Sequence, residues 1–127
     1  MSNLEEQIAK ILRKEKIKFE MEKTFSDLRG GRYRYDFYIK NYNGKEIIIE
    51  VDGPFHFKAI HGRATLLKQQ EHDRQKNSFC LAKGIILYRL PFWEIPNIKT
   101  FSDICQKKFL VKSRWFNDEI VVPKEFK

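Results

Sequence analysis

The run Ile47-Ile48-Ile49-Glu50-Val51-Asp52-Gly53-Pro54-Phe55-His56 joins an apolar segment to two carboxylates, a glycine turn and a histidine. Three consecutive isoleucines demand a dry interior, so the acids that follow stand at the end of a buried strand. A carboxylate there is expensive to desolvate unless a cation compensates it. Another acid, Asp36, lies in the strand-like run Tyr33-Arg34-Tyr35-Asp36-Phe37-Tyr38-Ile39. Between the two runs stands Asn43-Gly44, a strong hairpin signal. A hairpin brings Asp36 beside Glu50, and two adjacent carboxylates make an oxygen-rich site for a hard divalent cation. Side chains alternate along a strand, so Asp52 shares a face with Glu50, and three acids this close repel unless a cation is present. The bland alternative pairs Asp36 and Glu50 with Arg32 or Arg34 as ordinary hairpin-end acids.

A second group lies on a later helical stretch. Gln69, Asp73, Lys76 and Cys80 recur at helical spacing and line one face. Their stripe is polar where a core stripe is apolar, which reads either as a solvated face or as part of a site. Asp73 set against His56 would make a base and its orienting carboxylate. Lys76 would put an ammonium near a phosphate or a developing oxyanion. His61 and His72 read as exposed, with no metal-ligand spacing to the cysteines.

These residues need a scaffold. Ser2 to Lys16 predicts a helix, with Ser2 and Glu5 as a capping box and Leu4, Ile8, Ile11 and Leu12 on one face. Lys18 to Phe25 suggests an edge strand, Asp27 to Gly31 a turn, and Arg32 to Lys40 and Lys45 to Asp52 the next two strands. Gly53 to Ala64 is a loop, and Thr65 to Lys83 a long polar helix stopped by Gly84. Ile85 to Leu90 reads as a buried strand ended by Pro91, and Thr100 as the cap of a short helix through about Lys108. Val121-Val122-Pro123 and the charged end read as a tail. The order of helix, three-stranded meander, helix, strand and C-terminal appendage predicts an α/β fold with a mixed sheet flanked by helices.

A chain of 127 residues is expected to form one domain, with a core at about 3–98 and an appendage at 99–127. A hydrophobic content of 42% supports a folded globule, while 33% charged residues and the lack of a long apolar run exclude a membrane bundle. The N-terminus lacks a basic segment followed by an apolar one, so no signal peptide is expected. Cys80 and Cys105 are isolated and read as reduced thiols of a cytoplasmic protein. A net charge of +8 favours a polyanionic partner, of which nucleic acid is the simplest.

Taken together, Tyr35-Asp36-Phe37-Tyr38, then Ile48-Ile49-Glu50-Val51-Asp52-Gly53 with His56, then His72-Asp73-Arg74-Gln75-Lys76-Asn77, then Gly84-Ile85-Ile86-Leu87-Tyr88-Arg89-Leu90 resemble the very short patch repair branch of the PD-(D/E)xK nucleases. The likeness is to small phage-borne and homing endonuclease-like members and runs from about Leu4 to Ile98. It implies a Mg²⁺-dependent DNA endonuclease of a bacterial or phage-infected cytoplasm, with Mn²⁺ able to substitute. Within that resemblance Asp36 is the main metal ligand, Glu50 the second acid and the Val51 carbonyl a backbone ligand. His56 is similar to the branch's general base, Asp73 to its paired acid, and Glu5 to the helix glutamate that positions water at the metal. The superfamily's lysine, two residues after the second acid, is here Asp52, so its role is absent, moved to Lys76 or taken by His56.

Arg32, Arg34, Lys58, Arg63, Lys68 and Arg89 are then candidates for DNA backbone contacts, which position the duplex without reading sequence. Phe55, Phe57, Phe92 and Trp93 are candidates for stacking or wedging, with core packing as the alternative for Phe92 and Trp93. The rival readings are a junction nuclease with the same site, which generally wants a symmetric dimer, and a DNA-binding module that has lost activity. A chain this short has little room for a separate specificity domain, so either modest specificity or a partner protein is expected.

Overall fold

A computed structural model describes all residues from Met1 to Lys127. Ser2 caps helix α1 (Asn3–Lys14): its hydroxyl accepts from Glu5 N–H at 3.1 Å and donates to the Glu5 carboxylate at 3.0 Å. Strands β1 (Glu20–Thr24), β2 (Arg34–Tyr42) and β3 (Lys45–Asp52) form the antiparallel meander. Asn43 (φ 53°) and Gly44 (φ 84°) both take the left-handed conformation that joins β2 tightly to β3. Helix α2 (Arg63–Lys83) ends at Gly84, which adopts φ 70°. The chain then enters β4 (Ile86–Pro91), parallel to β3, so the sheet is mixed and ordered β1-β2-β3-β4. Thr100 caps the short helix α3 (Phe101–Ile104) through a full capping box with Asp103. No helix is long and apolar enough to cross a membrane.

The three isoleucines of β3 serve both faces of the sheet. Ile47 and Ile49 join α1 residues Ile8, Ile11 and Leu12 in one core, and Ile48 joins Cys80 of α2 in the other. A strand covered on both faces reads as a continuous apolar run. By the same alternation Glu50 and Asp52 fall on the α2 side, which is why they meet that helix and not α1.

Residues 99–127 are less peripheral than an appendage. Phe101, Ile104 and Phe109 complete the α1-side core, Val111 joins the other, and Asn117 is buried. Leu110 bridges Tyr88, and Val111 N–H donates to the Leu87 carbonyl at 2.9 Å, which covers the outer edge of β4. The final turn, Lys124–Phe126, packs Phe126 against Phe92 and Trp93 with ring centroids 5.6 and 6.5 Å away.

The sheet is irregular where the site begins. Tyr35 and Phe37 are two residues apart in β2, yet they lie in opposite cores. Opposite them Glu22 of β1 is left-handed at φ 54°, a conformation that costs an L-residue roughly 1–2 kcal/mol. The strand thus turns over at Asp36 and carries it to the end of the sheet, within reach of both flanking helices.

A candidate metal and acid–base site

At Asp36 the β2–β3 ladder stops using carbonyls and uses carboxylates. Asp36 N–H donates to Glu50 Oε1 at 2.7 Å, and Val51 N–H donates to Asp36 Oδ2 at 2.8 Å. Each acid ties down the other strand's backbone, so the pair is rigid before any ligand arrives. Neither Arg32 nor Arg34 compensates it: Arg34 faces the exposed Glu22 at 3.9 Å. Lys76 does so in part, its ammonium donating to Glu50 Oε2 at 2.7 Å and to the Arg34 carbonyl at 2.5 Å.

The pair opens on a cleft of about 360 Å³, whose walls include Glu5, Asp36, Glu50, Val51, His56, Gln69 and Lys76. Three carboxylates therefore face one ammonium. Burial, then the Glu50 charge, pushes the Asp36 carboxyl up to about 8, with Glu5 acting in the same sense and Val51 N–H and Lys76 opposing. Oxygen donors crowded with surplus negative charge are the environment that a hard divalent cation relieves. Asp36 Oδ1 takes no hydrogen bond from the protein, and Glu50 retains lone pairs on both oxygens. Asp36, Glu50 and the Val51 carbonyl thus fit Mg²⁺ or Mn²⁺, with Glu5 in the same cleft.

His56 also lines the cleft, in the 3-10 turn Pro54–His56 that follows β3. Its Nδ1 lies 2.9 Å from Asp73 Oδ2 and 3.6 Å from Asp52 Oδ1. Gln69 Nε2 donates to the other Asp73 oxygen at 3.1 Å. Nδ1 is thereby committed as the donor, and Nε2 is the nitrogen left for the cleft. Burial disfavours the imidazolium, but the Asp52 charge and the Asp73 hydrogen bond outweigh it and raise the His56 pKa. Burial also opposes ionisation of Asp73; Arg89 and His56 overcome this and lower its pKa.

Arg89 does not face solvent as a DNA contact would. It is fully buried and therefore cannot touch a DNA backbone. In β4 it is in register with Glu50, and its guanidinium donates to Asp52 Oδ1 at 2.7 Å and to Asn77 Oδ1 at 2.7 Å. It also lies 3.6 Å from Asp73 Oδ1 and 4.0 Å from Glu50 Oε2. Asn117 closes the group from residues 99–127, donating to Asp52 Oδ2 at 3.0 Å and accepting from Asn77 at 3.0 Å. Asp52 is therefore no member of a metal-binding trio with Asp36 and Glu50. The ligand atoms of Asp52, His56 and Asp73 do lie within 4.8 Å of one another. Arg89 already supplies the cation there, and no buried polar side-chain atom in the molecule lacks a partner.

No family model, curated protein or solved structure matches this chain. The function must be read from the site itself.

The structure brings Glu5, Asp36, Glu50, Val51, His56 and Lys76 to one cleft and sets Asp73 behind His56. Arg32, Arg34, Arg63 and Lys68 are exposed, and Lys58 is half-buried with its ammonium 5.6 Å from the Phe92 ring. Phe92 and Trp93 pack with Phe57 and Phe126, so packing accounts for both, whereas Phe55 is exposed beside His56. Arg89 has a different role from the one expected of it, and Asn77 and Asn117 were not anticipated. An arginine inside the apolar run Ile85–Leu90 signals a buried partner, and Asn77 follows Asp73 by one helical turn. Nothing in the sequence points to Asn117.

Proposed function

We propose that the chain is a metal-dependent DNA endonuclease that hydrolyses a phosphodiester of duplex DNA. The observation that carries this reading is the pairing, across one cleft, of the Asp36–Glu50 carboxylates with an imidazole held by Asp73. The net charge of +8 supplies the attraction for a polyanion, and the sequence resemblance to the very short patch repair branch adds a family precedent. A Mg²⁺ held by Asp36, Glu50 and the Val51 carbonyl would neutralise phosphoryl charge and acidify water.

The chain's own groups do the rest. His56 Nε2 takes the proton of the attacking water, and Asp73 stabilises the imidazolium that results. Glu5, at the N-terminal turn of α1 and in the same cleft, holds that water. Water adds to phosphorus, the bond to the leaving 3′-oxygen breaks, and that oxygen is protonated from solvent. Lys76, fixed by Glu50 and the Arg34 carbonyl, sets a positive charge beside the phosphoryl oxygens as they gain charge. It is thereby the residue best placed for the role of the superfamily lysine that Asp52 replaces.

Supercoiled plasmid tests the reading. Nicking or linearisation in Mg²⁺ or Mn²⁺, abolished by EDTA and by Asp36→Ala, is the expected result. Metal-independent binding of DNA that stays intact, on plasmid and on four-way junctions alike, would instead identify a binding module.

A further inference from the structure

A second cavity, of about 330 Å³, adjoins the cleft. It is lined by Arg32, Tyr33, Arg34, Gln69, His72 and Lys76, and it shares Gln69 and Lys76 with the cleft. No carboxylate lines it. Arg32 and Arg34 are exposed, and Arg34's one ion pair, with Glu22, is long and lies in solvent, where such pairs contribute little. Tyr33 and His72 pack ring against ring at 4.6 Å, which fixes the wall between β2 and α2. Lys76 binds the Arg34 carbonyl on one side and Glu50 on the other, so the two cavities are joined rigidly. Burial and the charge of Lys68 lower the His72 pKa, Asp73 opposes them, and Lys76 and Arg29 add to the lowering, so cations outnumber anions around this ring.

Resting on the nuclease reading, we propose that Arg32 and Arg34 form a phosphate subsite that holds the phosphodiester next to the scissile one on the same strand. Arg34 precedes Asp36 by two residues of β2, and the two cavities share Gln69 and Lys76, so the arginines border the space next to the acid pair. Two guanidiniums, contested only by the long, solvent-exposed Glu22 contact to Arg34, provide forked donors for phosphate oxygens. The subsite would fix the register of the strand and aim one phosphate at Asp36.

Short oligonucleotides test this with Ca²⁺ in place of Mg²⁺, so that binding is read without cleavage. The probes are dTpdT, with one phosphate, and its 5′- and 3′-phosphorylated forms, followed by NMR titration. One phosphorylated form should bind at least about tenfold more tightly than dTpdT, the order expected of a charge-assisted contact. The gain should vanish in an R32A/R34A variant and persist in K99A/K107A, which removes the same charge from exposed sites elsewhere. A second readout is the salt dependence of duplex binding in EDTA, whose slope should fall by about one to two units in R32A/R34A alone. No gain in wild type, or a gain retained by R32A/R34A, overturns the subsite. Wild-type plasmid nicking, run beside it, separates the outcomes: nicking without the gain defeats the subsite only, and neither nicking nor oligonucleotide binding defeats both readings.

Discussion

Glu50 and Asp52 stand two residues apart on one strand and face the same helix, yet they belong to opposite kinds of site. Around Glu50 the acids outnumber the cations, the groups border a cleft, and Asp36 is held well above its ordinary pKa. Around Asp52 the polar groups satisfy one another: Arg89, Asn77 and Asn117 complete every hydrogen bond and close the group to solvent. The open cluster is left short of positive charge, which a ligand can supply. The sealed cluster satisfies itself and spends its order on aiming His56. Residue type does not distinguish the two; the neighbours do.

Removing one acid from the open cluster should have the largest functional effect. Asp36→Asn should lower cleavage by about 10³-fold or more, as loss of a ligand to a catalytic cation does. Its metal-free stability in urea should hold or rise slightly, because burial and the Glu50 charge make an ionisable group costly at this position and the amide escapes that cost. The sealed cluster should behave in the reverse sense. Arg89→Met strands two buried carboxylates and should cost about 3–5 kcal/mol in urea unfolding, whatever the metal concentration. If Asp36→Asn destabilised the fold as much as Arg89→Met, the contrast between the clusters would be lost.

Proton binding sharpens the contrast further. His56 carries a raised pKa in the fold, so it binds protons more tightly folded than unfolded. That part of the stability is complete below about pH 6.5 and fades as pH rises through the folded midpoint. NMR of metal-free protein should place the His56 midpoint above 6.5, and Asp73→Asn should bring it down. The same variant should cut cleavage by about 10²-fold through loss of the orienting carboxylate. Unchanged titration in Asp73→Asn would detach Asp73 from the base. The smallest effect is expected at Asn117. Asn117→Ala removes one donor from Asp52 and should cost about 1–2 kcal/mol in urea unfolding, with little change in substrate affinity.

Much of the scaffold was legible because it rests on local signals. The Asn43-Gly44 turn, the Gly84 stop, the Ser2 cap and the isoleucine run each fix their own element, and the order of elements then implies a mixed sheet. Asp36, Glu50, His56 and Asp73 were legible as polar groups set where burial is costly. Arg89 was misassigned because a basic residue in a basic chain suggests a polyanion, and only the parallel register of β3 and β4 reveals its buried partners. Asp52 was grouped with the wrong acids for the same reason: alternation gives its face but not the cation already there. Asn117 reaches the site from 65 residues away, through a tertiary contact with no periodic or motif signal.

The contrast between an open and a sealed acid cluster is tested most directly by where a cation binds. Crystals grown with Mn²⁺ would give an anomalous difference map that answers this without reference to activity. A peak in contact with the Asp36 carboxylate and the Val51 carbonyl, with Arg89 still paired to Asp52, is the predicted result. A peak among Asp52, His56 and Asp73 with Arg89 displaced, or none in either cluster at saturating Mn²⁺, would contradict it.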